Sequence, residues 1–107
     1  MPRQKTDWGY IDWLEENMDE SRAALNVGVV TIFPHAHMNP HIHFTEQVIY
    51  TLQGTGYSLI NGKKIDMSIP GEILHWEASV IHEMYNGGEE EFKHLMLSCP
   101  DRVKFDP

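Results

Sequence analysis

Asn61-Gly62 separates two extended runs, YSLI (57–60) and KKIDMSI (63–69). A two-residue type I′ hairpin needs positive φ at both central positions, and Asn followed by Gly adopts it most readily. The dipeptide therefore predicts a tight antiparallel hairpin. NVGVVTIF (26–33), QVIYTL (47–52), EILHW (72–76), VIHEMYN (80–86) and FKHLMLS (92–98) are further short apolar or β-branched runs. Gln53-Gly54-Thr55-Gly56, Pro70-Gly71 and Gly87-Gly88 punctuate them. Short strands at regular spacing, with turn chemistry between, predict an all-β domain, either an antiparallel sandwich or a closed barrel.

Residues 1–25 read differently. In DWGYIDWLEEN (7–17), Trp8, Ile11 and Leu14 recur at spacings of three with Asp7 as a cap. That pattern predicts a short N-terminal helix or arm. Residues 26–107 are then the barrel, and 107 residues suit one domain with one modest core.

Acidic residues outnumber basic ones 16 to 8, for a formal charge of -8. Phosphate binding needs a basic face, so nucleic acid is excluded as an expected partner. No stretch approaches the roughly 20 apolar residues of a membrane span. The N-terminus lacks the apolar core and small-residue cleavage site of a signal peptide. A lone cysteine, Cys99, cannot form an internal disulfide, so a cytoplasmic location is expected. Cys99 itself reads as a small packed hydrophobe.

FPHAHMNPHIHF (33–44) holds four of the seven histidines. Residues of equal parity share one face of a strand. If the chain stays extended from 41 to 47, His41, His43 and Gln47 point the same way. Two imidazoles one pleat apart can converge on one ion at about 2.0–2.1 Å. His82 lies in the middle of an apolar run, where a bare imidazole costs desolvation energy. It is the expected further ligand.

Two stretches resemble the paired motifs of the cupins. HIHFTEQVIYTLQG (41–54) is similar to the core of the first motif, with His41, His43 and Gly54 in register. PGEILHWEASVIHEMYN (70–86) is similar to a looser form of the second, opening on Pro70-Gly71-Glu72 and closing on His82 and Asn86. The resemblance covers about residues 26–98. It implies a double-stranded β-helix, the jelly-roll barrel, with one divalent transition metal (Fe, Mn, Zn or Ni) held by His41, His43, Gln47 and His82. It also implies a small-molecule ligand.

Two positions depart from the motif. Gln47 stands where the family usually has a glutamate, with Glu46 beside it at the wrong parity. A site of neutral donors leaves the divalent charge uncompensated, which favours Lewis acidity and an anionic oxygen ligand. His35 stands at the usual glycine. If that position needs positive φ, it is strained there. His35 and His37 are expected near the barrel mouth, outside the direct ligand set. His75 and His94 are expected as sheet or core residues, with His94 a candidate to orient a ligating imidazole. Tyr50, Trp76, Tyr85, Met67, Met84 and Met96 are expected to fill the barrel. Asn86 is expected either to face the site or to serve as a turn residue. Glu46, His35 and Tyr85 are the candidate general bases.

The resemblance implies a metal-dependent enzyme acting on a small molecule, of the dioxygenase, decarboxylase, isomerase or lyase type. The alternative is a ligand-binding or sensor module without catalysis. Trp8, Ile11 and Trp13 are expected to form a homodimer surface.

Overall fold

A computed structural model describes residues 2–14, 25–42, 46–77 and 81–98. Ten strands account for the regular structure of these residues. They are β1 (Arg3–Lys5), β2 (Gly9–Trp13), β3 (Asn26–Ile32), β4 (His37–Ile42), β5 (Gln47–Gln53), β6 (Gly56–Ile60), β7 (Lys63–Asp66), β8 (Ile73–Trp76), β9 (Ile81–Asn86) and β10 (Phe92–Ser98). They form two antiparallel sheets, one ordered β1-β2-β3-β10-β5-β8 and the other β4-β9-β6-β7. This is the all-β jelly-roll architecture.

The core lies between the sheets. Val30, Ile32, Ile49, Trp76, Phe92 and Met96 come from one sheet, and Met38 and Met84 from the other. Met67 completes the cluster. Alternation decides who enters. On β10, Phe92, His94, Met96 and Ser98 are buried while Lys93, Leu95 and Leu97 are only partly so. On β5 the alternation buries Gln47, Ile49 and Thr51 and sends Val48, Tyr50 and Leu52 outward. Period-two alternation with one face in the core is what holds each strand in register. The methionines and Trp76 fill the barrel as expected, but Tyr50 and Tyr85 do not. Both have outward parity, opposite to the buried residues of their strands.

The hairpin at Asn61-Gly62 forms as expected, with φ of 50° and 81° and β6 paired to β7. Of the expected N-terminal helix or arm, the described residues form an arm, and residues 15–24 of that stretch lie outside the described residues. Residues 9–13 form a strand, not a helix, and pair with β3 from Gly9↔Ile32 to Trp13↔Gly28. Tertiary contacts override a weak spacing signal here. The bare Gly28 lets Ile11 and Trp13 pack against the sheet, where a Cβ would stand 3.0 Å and 3.1 Å from their side chains. Arg3 clamps the hairpin by donating to Asp12 at 2.7 Å and capping the Tyr10 ring at 3.9 Å. That hydrogen bond holds the Asp12 carboxyl below the usual aspartate range. Trp8, Ile11 and Trp13 pack against the core cluster. The exposed large apolar side chains include Val48, Tyr50, Leu52 and Ile73 on β5 and β8.

Gly54 closes β5 with φ of 94°, and a Cβ there would meet the Glu91 carbonyl oxygen at 2.7 Å and Phe92 Cα at 2.8 Å. Gly62 shares the backbone region, but a Cβ there would find nothing within 4 Å, so only strain opposes a side chain. Gly62→Ala is expected to cost about 1 kcal/mol, the strain of one left-handed residue. Gly54→Ala adds a clash with backbone and should cost at least about 2 kcal/mol in chemical denaturation. Equal losses would show that the backbone at Glu91–Phe92 yields freely.

Candidate metal centre

β4 and β9 bring the first two histidines together. Their register pairs His37 with Tyr85, Met38 with Met84 and His41 with His82, with an irregularity between Met38 and His41. That irregularity lets both Met38 and His41 reach the inner side, although their parities differ. The His41 and His82 ring centroids are 4.1 Å apart at 63°. His82 is 3% exposed, and the Trp76 ring packs on it at 4.5 Å.

The His41 tautomer follows from its partner. Nδ1 lies 2.8 Å from the Asn39 carbonyl oxygen. A carbonyl only accepts, so Nδ1 carries the proton of this contact and Nε2 is the nitrogen left to meet a metal. Backbone carbonyls orient ligating histidines in this way in known metal sites. The donor set therefore fits a divalent metal at His41.

Gln47 enters from the opposite sheet. It is 6% exposed and pairs directly with Trp76 on one side and Ser98 on the other. Opposed residues of an antiparallel pair share a face, so Gln47 stands on the face that carries Trp76 against His82. His41 and Gln47 do not share one extended strand, as equal parity predicts. Instead His41 lies one residue from the end of β4 and Gln47 begins β5, in different sheets. His43 lies outside the described residues. Among the described residues, no group of three or more His, Cys, Asp or Glu gathers at one point. What they contribute is two histidines and one neutral amide.

The remaining candidates sit elsewhere. Glu46 is exposed, with its carboxylate 3.6 Å from His75 Nε2 on the outer surface, as its parity requires. His37 pairs with Tyr85, three residues along β9 from His82, and His35 precedes β4. His35 adopts φ of 60°, so it occupies the left-handed backbone that the motif glycine would fill, and its Nε2 meets Glu89 at 2.9 Å. His37 stacks on Tyr85 at 4.9 Å, and Tyr85 on Tyr57 at 5.0 Å, across the outer face. The Tyr85 hydroxyl donates to Glu83 at 2.8 Å, which raises its pKa and removes it as a base at the site. Asn86 does face inward, but as a turn residue. Its amide donates to the Ile32 and Glu90 carbonyls, and its oxygen accepts from Gly88 N–H, closing the far end.

His94 is fully buried, beside Phe92 and opposite Thr51 and Val30. It is four residues along β10 from Ser98, about 13 Å at strand rise, and so two inward levels below the level of Ser98 and Gln47. Trp76 and the Asn39 carbonyl are site neighbours that motif spacing does not reveal. An indole in an apolar run and a backbone oxygen carry no local signature.

These features place two histidines, a glutamine and a tryptophan at one end of a jelly roll, and the comparisons bear on the fold that carries them. The family model for a cupin domain matches residues 28–98. The chain belongs to the cupin family. The cupin domain of Cnp3 from Schizosaccharomyces pombe superposes with a TM-score of 0.78 at 15% identity, covering 94% of this chain and 69% of that one. KdgF from Halomonas sp. gives 0.76 at 20% identity, covering 95% and 88%. A variant of oxalate decarboxylase from B. subtilis gives 0.73 at 14% identity, covering 96% of this cupin and 28% of the larger protein. At these identities the likeness shows the fold alone. No curated protein matches the chain. Among the described residues, no helix is long and apolar enough to cross a membrane.

Burial lowers the His94 pKa from 6.5 to about 3. The folded state therefore holds a neutral ring where the unfolded chain takes up a proton. Its contribution to stability is complete above pH 6.5 and is lost as the pH falls from there toward 3, with a limiting slope of about 1.4 kcal/mol per pH unit. His94→Leu should flatten the acid limb of a stability profile by up to that slope. Parallel wild-type and variant profiles would contradict it.

Proposed function

We propose that this cupin is a metal-dependent enzyme acting on a small molecule, with one divalent transition metal held by His41, His43 and His82 and by Gln47 as a weak fourth donor. The observation that carries this reading is the His41–His82 pair, 4.1 Å apart, with the His41 tautomer set by the Asn39 carbonyl. The His43 role rests on its place in the motif. The likeness to KdgF and oxalate decarboxylase supports an enzyme of this fold without naming the reaction.

Three imidazoles and an amide are all neutral, so the ion keeps its full charge toward the ligand. Such a centre supplies Lewis acidity and prefers an anionic oxygen donor. The chain's own residues have separable tasks. Asn39 aims His41, Trp76 covers one side of His82 and keeps water from it, and Gln47 completes the ring of donors without adding charge.

The test is elemental analysis of tag-free protein beside a His41→Ala/His82→Ala variant. The expected result is close to one transition metal per chain in the native protein and less than a tenth of that in the variant. Turnover of O2 or of small carboxylic acids would then be assayed with the metal found. No metal in the native protein, and none taken up from a panel of divalent ions, contradicts the proposal.

A further inference from the structure

The outer face of the six-stranded sheet is apolar across four strands. Val27, Leu97 and Val48 are opposed in one row over β3, β10 and β5. Val29, Leu95, Tyr50 and Ile73 are opposed in the next, which reaches β8. On β3, β10 and β5 these rows have outward parity, opposite to buried Val30, Met96 and Ile49. Val48, Tyr50, Leu52 and Ile73 are exposed, Ile73 to 65%. The solvent face of an antiparallel sheet is normally polar, and a contiguous apolar patch there marks an interaction surface. Trp8, Ile11 and Trp13, by contrast, pack against the core cluster.

The charges around the patch say what covers it. At the β1 edge, Arg3 and Lys93 stand over the Tyr10 ring at 3.9 Å and 5.8 Å, and Lys5 pairs directly with Tyr10. Asp12 offsets Arg3 and Glu91 lies 3.9 Å from Lys93, yet cations prevail at this corner. At the β8 edge, Glu46 lies 3.6 Å from His75, and exposed Glu77 follows two residues on. The two groups also lie at opposite ends along the strands. Lys93 pairs with Gln53 at the close of β5, and Glu46 precedes its first residue. One face thus carries an apolar centre with a basic corner and, diagonally across, an acidic corner. A surface holding both poles complements itself, as the interface of a two-fold dimer must. A net charge of -8 opposes the other apolar partner, an anionic membrane surface.

We propose that this face is the docking surface for a second copy of the chain, packed sheet on sheet with the strands crossing near a right angle. The crossing follows from the charges. A two-fold axis parallel or perpendicular to the strands lays each charged corner over an uncharged one. An axis along the opposite diagonal lays the basic corner of one copy on the acidic corner of its partner, and it turns the strands through about 90°, the orthogonal class of sheet packing. At about 4.8 Å per strand and about 6.8 Å per row, six strands and four rows cover roughly 700 Å² in projection, the scale of one side of a standard interface. The partner then backs β5 and β8, which carry Gln47 and Trp76 on their other face. The surface is independent of the metal reading.

The test is sedimentation equilibrium of the full chain as purified, at about 0.15 M salt. The expected result is a dimer at about 100 µM protein. Ile73→Asp buries a charge in the apolar centre and should weaken the dimer at least tenfold with an unchanged far-UV spectrum. Val48→Asp serves in the same way if the first variant does not fold. Lys5→Glu and Glu77→Lys should each weaken the dimer at least about threefold, and the double variant should recover the native constant, because the diagonal axis opposes the two residues. A monomer at every concentration overturns the proposal. So does a dimer that both Ile73→Asp and Val48→Asp leave intact. A double variant no tighter than its weaker parent overturns the crossed arrangement.

Discussion

The site depends on the register between β4 and β9. A one-residue slip of that pair would turn His41 outward and separate it from His82, which packs on Trp76. Packing on both faces prevents the slip. On the inner face, Met38 meets Met84 in the core. On the outer face, His37, Tyr85 and Tyr57 stack in a ladder capped by Lys64, whose Nζ lies 4.4 Å from the Tyr57 ring. Burial drives the first set and ring stacking the second, and both favour the same alignment. The outer histidine thus contributes to the site mechanically, through register, rather than as a ligand.

The barrel interior changes character along its length. At the His82 end the six-stranded sheet presents Asn26, Ser98, Gln47 and Trp76. One level in, Ile49 and Met96 are paired and apolar. Next come His94 and Thr51, a buried polar level whose imidazole stays neutral until strongly acid pH. The far end is sealed by Phe92, Ile32 and the three hydrogen bonds of Asn86. The interior thus alternates polar and apolar levels from the His82 end inward.

Much of this was legible in the sequence. The hairpin at Asn61-Gly62, the two-sheet all-β class and the inward placement of His82 follow from local turn chemistry and from alternation, which act over a few residues. The N-terminal hairpin was not legible, because Trp8, Ile11 and Leu14 mimic a helical period while the pairing with β3 is a long-range contact, with Ile11 and Trp13 packed over Gly28. The relation between His41 and Gln47 was not legible either. Parity within one strand says nothing about a chain that passes from one sheet to the other. The polar row was present as Asn26 and Ser98, each with inward parity at the end of an apolar run, but only the register between strands places them side by side with Gln47 and Trp76.

The central claim is that cross-strand pairing of β4 and β9, and not the density of histidines in residues 33–44, creates the metal centre. Anomalous diffraction at the absorption edge of the bound metal tests it directly. The account predicts one peak per chain, about 2.0–2.1 Å from His41 Nε2 and from an imidazole nitrogen of His82. A peak bound instead by His35 and Glu89, or by His75 and Glu46, would contradict it.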